Sequence, residues 1–248
     1  MRYNLPMDVY DALASRFKIL RKNKRLYYLN YSKLRRALLN ILLPIVLYKK
    51  IKNKNETFSF QDKRFAYFFH IYNTTWRNER AIEIPIIWNE VKKARNKKIL
   101  EFGNVLRNYF KITHDVLDKY EIGERVINED VVTFSPRKKY DLIVSISTLE
   151  HVGWDEYPRE PLKVVSAINN LRKLIKKNGK MVITFPLNYN SALDLLLHKN
   201  QLPLDKIFFL KKISANNTWV ETAFSEVKRS KINTPGINTI AIGLIKKK

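Results

Sequence analysis

The sequence predicts an α/β fold with a mostly parallel sheet over residues 96–248. Two observations lead to this fold class. Nearly continuous apolar runs at residues 98–103 and 139–147 are typical of strands buried on both faces of a parallel sheet. The first run ends on Gly103, and Asp118 follows at a spacing typical of nucleotide-binding α/β folds. Together they predict a Rossmann-like sheet of seven strands with helices on both faces.

The remaining elements alternate along the chain. Strands are predicted over residues 112–118 and 126–130, before the run at 139–147. Apolar residues at helical spacing then predict a helix ended by Asn178 and Gly179, because both tolerate the left-handed backbone that ends many helices. Further strands are predicted over residues 181–186, 218–224 and 238–245.

Residues 1–95 are predicted to form a basic, aromatic-rich helical region that precedes this domain. There is no acidic residue between Arg16 and Lys54, and apolar residues at helical spacing with basic flanks predict a helix over residues 33–52. Such a helix can pack on a core or a partner subunit, or lie on an anionic membrane surface. Residues 57–88 are dense in aromatic side chains and predict one or two helices packed on the later domain.

The charge balance is unusual, with 47 basic against 23 acidic residues and a formal net charge of +24. This imbalance favours nucleic acid or an anionic membrane as a partner, although a solvated basic surface accounts for it equally well.

The chain has no cysteine, which excludes disulfides and thiolate metal sites. The most apolar stretch, residues 37–48, is too short to span a bilayer and no secretory signal is found, so we expect a cytoplasmic protein, with peripheral membrane attachment as an alternative.

Five segments resemble, in order and spacing, the successive motifs of class I S-adenosylmethionine-dependent methyltransferases. They cover about residues 97–190 and comprise Glu101-Phe-Gly103, Asp118, Asp130, residues 140–152 and residues 174–186. The resemblance implies S-adenosyl-L-methionine as cofactor. It implies that Glu101 organises the turn beneath the methionine moiety and that Gly103 lets the backbone approach the cofactor.

Further roles follow from the same resemblance. Asp118 would bind the ribose hydroxyls, and Asp130 would accept a hydrogen bond from the adenine amino group while Val131 packs on the ring. The floor near the sulfonium would be formed by residues at the end of the fourth strand, namely Ser145, Ser147 and Leu149.

The loop after the first strand departs from the family pattern, which usually has three spaced glycines. Only Gly103 is present here, and Asn104 follows as a residue that tolerates positive φ. Val105, Leu106 and Arg107 put side chains where the backbone normally approaches the ligand. We expect a variant loop that still holds the cofactor; a degenerate site is the alternative.

His151 is the first candidate for a general base, because it follows the fourth strand and imidazole titrates in the useful range; Glu150 and His114 are the next candidates. Residues 154–157 and 188–190 combine aromatic and short polar side chains that suit a polyhydroxylated acceptor. We therefore expect O-methylation of a small-molecule or glycan acceptor. RNA methylation through the basic N-terminal surface and a catalytically degenerate binding module are the alternatives, and the oligomeric state stays open.

Overall fold

The computed structural model describes residues 56–229 and 238–248. The basic helix predicted over residues 33–52 lies outside the described residues. The first described element is an antiparallel hairpin of β1 (Thr57–Phe60) and β2 (Lys63–Ala66). Its two-residue turn uses Gln61 and Asp62, both with positive φ, as the tightest hairpin connections require. The prediction of helix at the start of the aromatic segment is therefore wrong for residues 57–66.

The main sheet has eight strands in the order β5-β4-β3-β6-β7-β10-β8-β9. The first five strands in this order run parallel, and the remaining pairings are antiparallel. The strands are β3 (Ile99–Phe102), β4 (Asp115–Leu117), β5 (Val126–Ile127), β6 (Tyr140–Ile146), β7 (Ile175–Pro186), β8 (Lys206–Lys212), β9 (Trp219–Thr222) and β10 (Thr239–Lys246).

The mostly parallel, Rossmann-like arrangement is thus confirmed, whereas the count of seven strands is wrong. The strand that sequence reasoning missed is β8. It carries Lys206 at one end and Lys211 and Lys212 at the other, so its apolar run is short. It is held in the sheet by pairing with both β10 and β9.

Helices cover both faces of the sheet, and β6 shows why. Leu142 and Val144 belong to the same hydrophobic cluster as helix α1 (Arg80–Lys93), whereas Ile143 points to the other cluster with helix α2 (Lys163–Leu174). Alternate residues of a strand face opposite sides, so a run that is apolar throughout needs cover on both. Two shorter helices, α3 (Ser191–His198) and α4 (Phe224–Arg229), complete the described α-helices.

Helix α2 ends earlier than predicted. Its last residue is Leu174, and β7 begins at once with Ile175. Asn178 does adopt positive φ, at 61°, but it does so within the irregular part of β7, where the register against β6 shifts. The pattern Asn-Gly therefore marks a strand irregularity here and does not end a helix.

The described part of the predicted N-terminal region packs on the sheet. Phe58 and Phe60 of the hairpin and Ile82 of α1 share a hydrophobic cluster with Trp219 and Ile240. The boundary at residue 95 stays a prediction. Within residues 56–229 and 238–248, no helix is both long and apolar enough to cross a membrane.

Candidate active site

A cleft of about 400 Å³ opens at the carboxyl ends of β3, β4 and β6, within the size range of small-molecule sites. Parallel strands place the loops that follow them along one edge, which is where ligands of such sheets bind. The cleft is lined by the loop after β3, residues 118–121 after β4, Asp130 and Val131 after β5, and Ser147 and Thr148 after β6. Residues from upstream of the sheet, Tyr72, Asn73 and Arg80, form a further wall.

Glu101 organises the turn that follows β3. Its buried carboxylate accepts hydrogen bonds from the amides of Val105 at 2.9 Å and Leu106 at 2.7 Å. The other carboxylate oxygen lies 2.9 Å from Nε2 of His114. His114 is therefore behind the turn and outside the cleft lining, where it holds Glu101 and has no access to an acceptor.

Gly103 adopts φ +87°, which only glycine takes at little cost. A Cβ at this position would also overlap the side chain of Thr148, whose own Cβ would lie only 2.8 Å away. Only glycine at position 103 therefore allows the end of β3 to approach the end of β6 this closely. This approach shapes the floor of the cleft.

The non-glycine residues of the loop leave the cleft open. Leu106 is fully buried in the hydrophobic cluster beneath, and the guanidinium of Arg107 donates to the Glu124 carbonyl away from the cleft. Of the side chains of Val105, Leu106 and Arg107, Val105 alone lines the cleft. Leu106 and Arg107 therefore lie where they leave the cleft open to a ligand.

Asp118 ties the loops after β3 and β4 together. Its Oδ1 accepts from the amides of Tyr120 and Glu121 at 2.9 and 2.8 Å, and its Oδ2 accepts from the Asn104 amide at 3.2 Å. The Asn104 side chain in turn donates to Glu121 at 2.8 Å. Because a carboxylate has about four acceptor positions, the described residues leave one acceptor position of Asp118 free beside the cleft.

Asp130 belongs to a network of two acids and two lysines. Its Oδ2 lies 3.0 Å from Lys119 and 2.7 Å from Lys163, and Glu156 contacts the same two lysines. Burial alone would raise the pKa of Asp130, yet hydrogen bonds from Lys163, the Val132 amide and Lys119 lower it to about 2. These lysine partners were not predicted from the sequence.

Arg80 and Glu83 form a buried ion pair at the back of the cleft, on the first turn of α1. Glu83 also accepts the hydroxyls of Ser147 at 2.7 Å and Thr184 at 2.6 Å, which joins α1 to the ends of β6 and β7. Burial works to lower the pKa of Arg80, but the charge of Glu83 and of neighbouring Glu79 raises it overall. Sequence reasoning missed this pair, although two charges three residues apart in the otherwise apolar first half of the helix were a usable signal.

Only one of the three residues expected to line the floor of the cleft does so. Ser147 lines the cleft, whereas Ser145 and Leu149 are fully buried and lie outside its lining. Leu149 packs in the hydrophobic cluster on the α2 side, and the Ser145 hydroxyl has no hydrogen-bond partner among the described residues. Thr148, which was not anticipated, lines the cleft beside Ser147.

His151 lines the cleft and is oriented by a carboxylate. Its Nδ1 lies 2.5 Å from Oδ2 of Asp155, which also accepts the Tyr189 hydroxyl at 2.7 Å. Burial and the hydrogen bond to Asp155 raise the pKa of Tyr189 to about 12, so the phenol keeps its proton and donates it. The side chain of His151 is 44% exposed, which leaves the imidazole open to an acceptor.

Glu150 differs from its neighbour in the chain. It is almost fully buried, and burial raises its pKa well above the usual range, which favours the neutral acid. Its Oε1 is 3.6 Å from Nε2 of His151, too far for a hydrogen bond, and it does not line the cleft. His151 is therefore the one candidate base of the three with direct access to the cleft.

Only part of the predicted acceptor-binding segments, residues 154–157 and 188–190, lies beside the cleft. Asn190 is buried and caps α3, because its side chain accepts from the amides of Ala192 and Leu193. Tyr189 and Asp155 lie beside His151, Glu156 joins the lysine network, and Trp154 stacks under Arg159 at 4.6 Å.

Known proteins were compared with the chain. No family model and no curated protein matches it. Similar solved structures include the N-methyltransferase NodS from Bradyrhizobium japonicum WM9 with S-adenosyl-L-homocysteine, at 11% identity and a TM-score of 0.40, covering 68% of this chain and 93% of that one. An rRNA methylase from Streptococcus thermophilus gives 12% identity and a TM-score of 0.40, covering 67% and 97%.

A third similar structure is an S-adenosylmethionine-dependent methyltransferase from Clostridium acetobutylicum ATCC 824. It gives 12% identity and a TM-score of 0.33, covering 65% of this chain and 89% of that one. At such identities no residue correspondence follows, so the chemistry of the cleft has to come from this chain's own residues.

Proposed function

We propose that this protein is a methyltransferase that uses S-adenosyl-L-methionine to methylate a hydroxyl group of a small-molecule or glycan acceptor. The observation that carries the proposal is one cleft in which groups suited to an amino acid and a ribose lie next to a histidine held by a carboxylate. When bound, the cofactor supplies a methyl group on a positively charged sulfur.

The amino-acid end of the cofactor carries an ammonium and a carboxylate. Asn104 Oδ1 is buried beside the cleft with no hydrogen-bond partner among the described residues, and an ammonium would satisfy it. The Arg80 guanidinium on the same cleft suits the carboxylate, because its planar fork matches two oxygens. These two residues support the fit of the amino-acid tail.

The nucleoside end would meet Asp118 and Val131. The free acceptor position of Asp118 suits a ribose hydroxyl, and the buried Val131 offers an apolar surface to a ring. Asp130 was expected to accept the adenine amino group, but its Oδ2 already serves two lysines and its Oδ1 serves the Val132 amide. We therefore propose that Asp130 takes part in adenine recognition through its remaining acceptor position on Oδ1, with the lysines holding it in place.

His151 would act on the acceptor. The acceptor hydroxyl would give its proton to Nε2 of His151, and Asp155 would stabilise the resulting imidazolium through Nδ1. The cofactor would supply the methyl group and leave as S-adenosylhomocysteine. Tyr189 donates to the same carboxylate oxygen and keeps Asp155 aimed at the ring. The remaining work is positioning, since methyl transfer from sulfur is a direct displacement.

Isothermal titration of the full chain with S-adenosylmethionine and S-adenosylhomocysteine tests the cofactor. We expect saturable binding, and at least about tenfold weaker binding in Asp118→Asn, where one acceptor oxygen becomes a donor. Asp62→Asn, an exposed acid in the hairpin turn, is the matched control and should bind as the unmodified protein does. Absence of binding at millimolar ligand would overturn the proposal.

Mass spectrometry after incubation with the cofactor tests the acceptor class. A panel of hydroxyl-bearing small molecules and oligosaccharides should yield a product heavier by one methylene group, and His151→Ala should abolish it. Methylation of RNA with no product from this panel would contradict the proposed acceptor class. Cofactor binding without methylation of either would favour a binding module.

A further inference from the structure

A second cleft, of about 510 Å³, lies beside the candidate active site. Three cationic side chains line it, Arg107, Lys111 and Arg125, together with a single acid, Glu124. The two clefts share a wall, because Asn108 and Tyr109 line both. The two clefts therefore adjoin on either side of these two residues.

The arginines of the second cleft are held by neutral groups. The Arg107 guanidinium donates to the backbone carbonyl of Glu124, and Nη1 of Arg125 donates to the backbone carbonyl of Thr113 at 3.3 Å. A carbonyl fixes the position of a guanidinium without cancelling its charge. Both side chains are thus oriented while their positive charges remain available.

The acid of this cleft compensates little of that charge. The Glu124 carboxylate lies 3.8 Å from Nε of Arg125, and its side chain is 85% exposed, so solvent screens the pair. Nε of Arg107 is buried without a hydrogen-bond partner among the described residues. Lys111 is exposed at the rim. The cleft therefore combines three cations with one weakly paired acid.

The cations at the first cleft, by contrast, are paired with acids. Lys119 and Lys163 pair with Asp130 and Glu156, and Arg80 pairs with Glu83. The positive charge of the second cleft is therefore less compensated than that of the first. Guanidinium groups bind the oxygens of phosphate and sulfate well, because two parallel N–H donors match two oxygens.

We propose that the second cleft is a binding site for the phosphate or sulfate group of a monoester. The charged group would lie between Arg107 and Arg125, and Lys111 would supply a further positive charge at the rim. This inference is independent of the proposed function, because none of these three residues lines the candidate active site.

Binding of inorganic phosphate and of inorganic sulfate to the full chain, followed by calorimetry at low ionic strength, tests the anion site without any acceptor. We expect saturable binding of at least one of the two, about tenfold weaker in Arg125→Gln and in Lys111→Gln. The matched controls Arg64→Gln and Lys199→Gln change exposed cations elsewhere and should leave the affinity unchanged. Thermal unfolding of each variant shows whether it is folded.

Two results would overturn the proposal: no saturable binding of either ion, or equal affinity in the cleft variants and the controls. A second test compares the affinities of methyl phosphate and dimethyl phosphate. The doubly charged monoester should bind more tightly, whereas preference for the diester would indicate a nucleic-acid backbone and contradict the proposal.

Titration with S-adenosylmethionine separates this inference from the proposed function. Arg125→Gln should keep the cofactor affinity of the unmodified protein, because Arg125 does not line the first cleft. If phosphate binds and the cofactor does not, the proposed function fails while the anion site stands. If the cofactor binds and phosphate does not, the anion site alone fails.

Discussion

Nδ1 of His151 lies 2.5 Å from Oδ2 of Asp155, and the two residues are four positions apart on the loop that follows β6. Burial works to raise the pKa of Asp155, but the hydrogen bonds from His151 and Tyr189 lower it, so this residue is a carboxylate at neutral pH. A carboxylate on one ring nitrogen determines which tautomer the neutral imidazole adopts. The Nε2 atom is then the acceptor nitrogen, available to a substrate hydroxyl.

Asp155→Asn should therefore lower kcat by roughly tenfold to a hundredfold, because an amide neither orients the ring as well nor stabilises the imidazolium. The dissociation constant of S-adenosylhomocysteine should stay the same, since Asp155 does not line the cofactor part of the cleft. Steady-state kinetics with the unmethylated acceptor as substrate measure kcat, and calorimetry measures the dissociation constant. Tyr189→Phe, which removes one donor and keeps the ring, should lose less, and an unchanged kcat in Asp155→Asn would refute the positioning role.

Glu101→Ala should lower the free energy of unfolding by about 3 kcal/mol, because two amides of the turn and the buried His114 lose their acceptor. Glu101→Gln keeps one acceptor oxygen and should lose less. Urea unfolding measures both changes. Glu129→Ala, at an exposed acid, is the control and should stay within about 0.5 kcal/mol of the unmodified protein.

Gly103→Ala should destabilise the protein by about 2 kcal/mol or more, because the new Cβ meets Thr148 and φ is positive. Affinity for S-adenosylhomocysteine should fall as well. Gly123→Ala provides a comparison, since its Cβ would meet the tip of Val126 at 3.2 Å and the Arg107 guanidinium at 3.5 Å, and its φ is not in the left-handed region. Equal melting temperatures for the two variants would contradict the close approach of β3 and β6.

Asp130 makes the stability of the protein depend on pH in the acid range. Its pKa is lowered from 3.8 to about 2 in the folded protein, so its ion pairs stabilise the fold above about pH 4, and this stabilisation is lost as the pH falls to about 2. In Asp130→Asn the free energy of unfolding should be lower near neutrality and should fall less steeply over this window. Chemical unfolding at a series of pH values measures the slope, and parallel curves for the two proteins would exclude a contribution from Asp130.

Much of the fold could be predicted from local pattern. The buried runs at β3 and β6 are apolar at most positions, and this property follows from burial on both faces, which is visible in the sequence itself. The hairpin could have been recognised too, because Phe58 and Phe60 alternate with polar residues in the period of a strand. The prediction of helix for this segment rested on its dense aromatic content and not on that alternation.

Other elements carry too little local signal. β8 has lysines at both ends, and its place in the sheet depends on pairing with β10, which lies far along the chain. The end of α2 at Leu174 depends on the register of β7 against β6, because pairing draws Ile175 into the sheet before Asn178 is reached. Long-range pairing decides such boundaries, and local propensity is too weak to oppose it.

The sequence by itself determined the α/β class, the parallel strands, and the positions of Gly103, Asp118 and Asp130 at strand ends, because these features follow from periodicity and spacing along one stretch of chain. Only the tertiary structure decided which groups meet there. Glu83 accepts the hydroxyl of Ser147, 64 residues away, and both lysines of the Asp130 network come from other segments of the chain. Charged side chains on separate elements pair according to how those elements pack, and one-dimensional spacing contains no record of that packing.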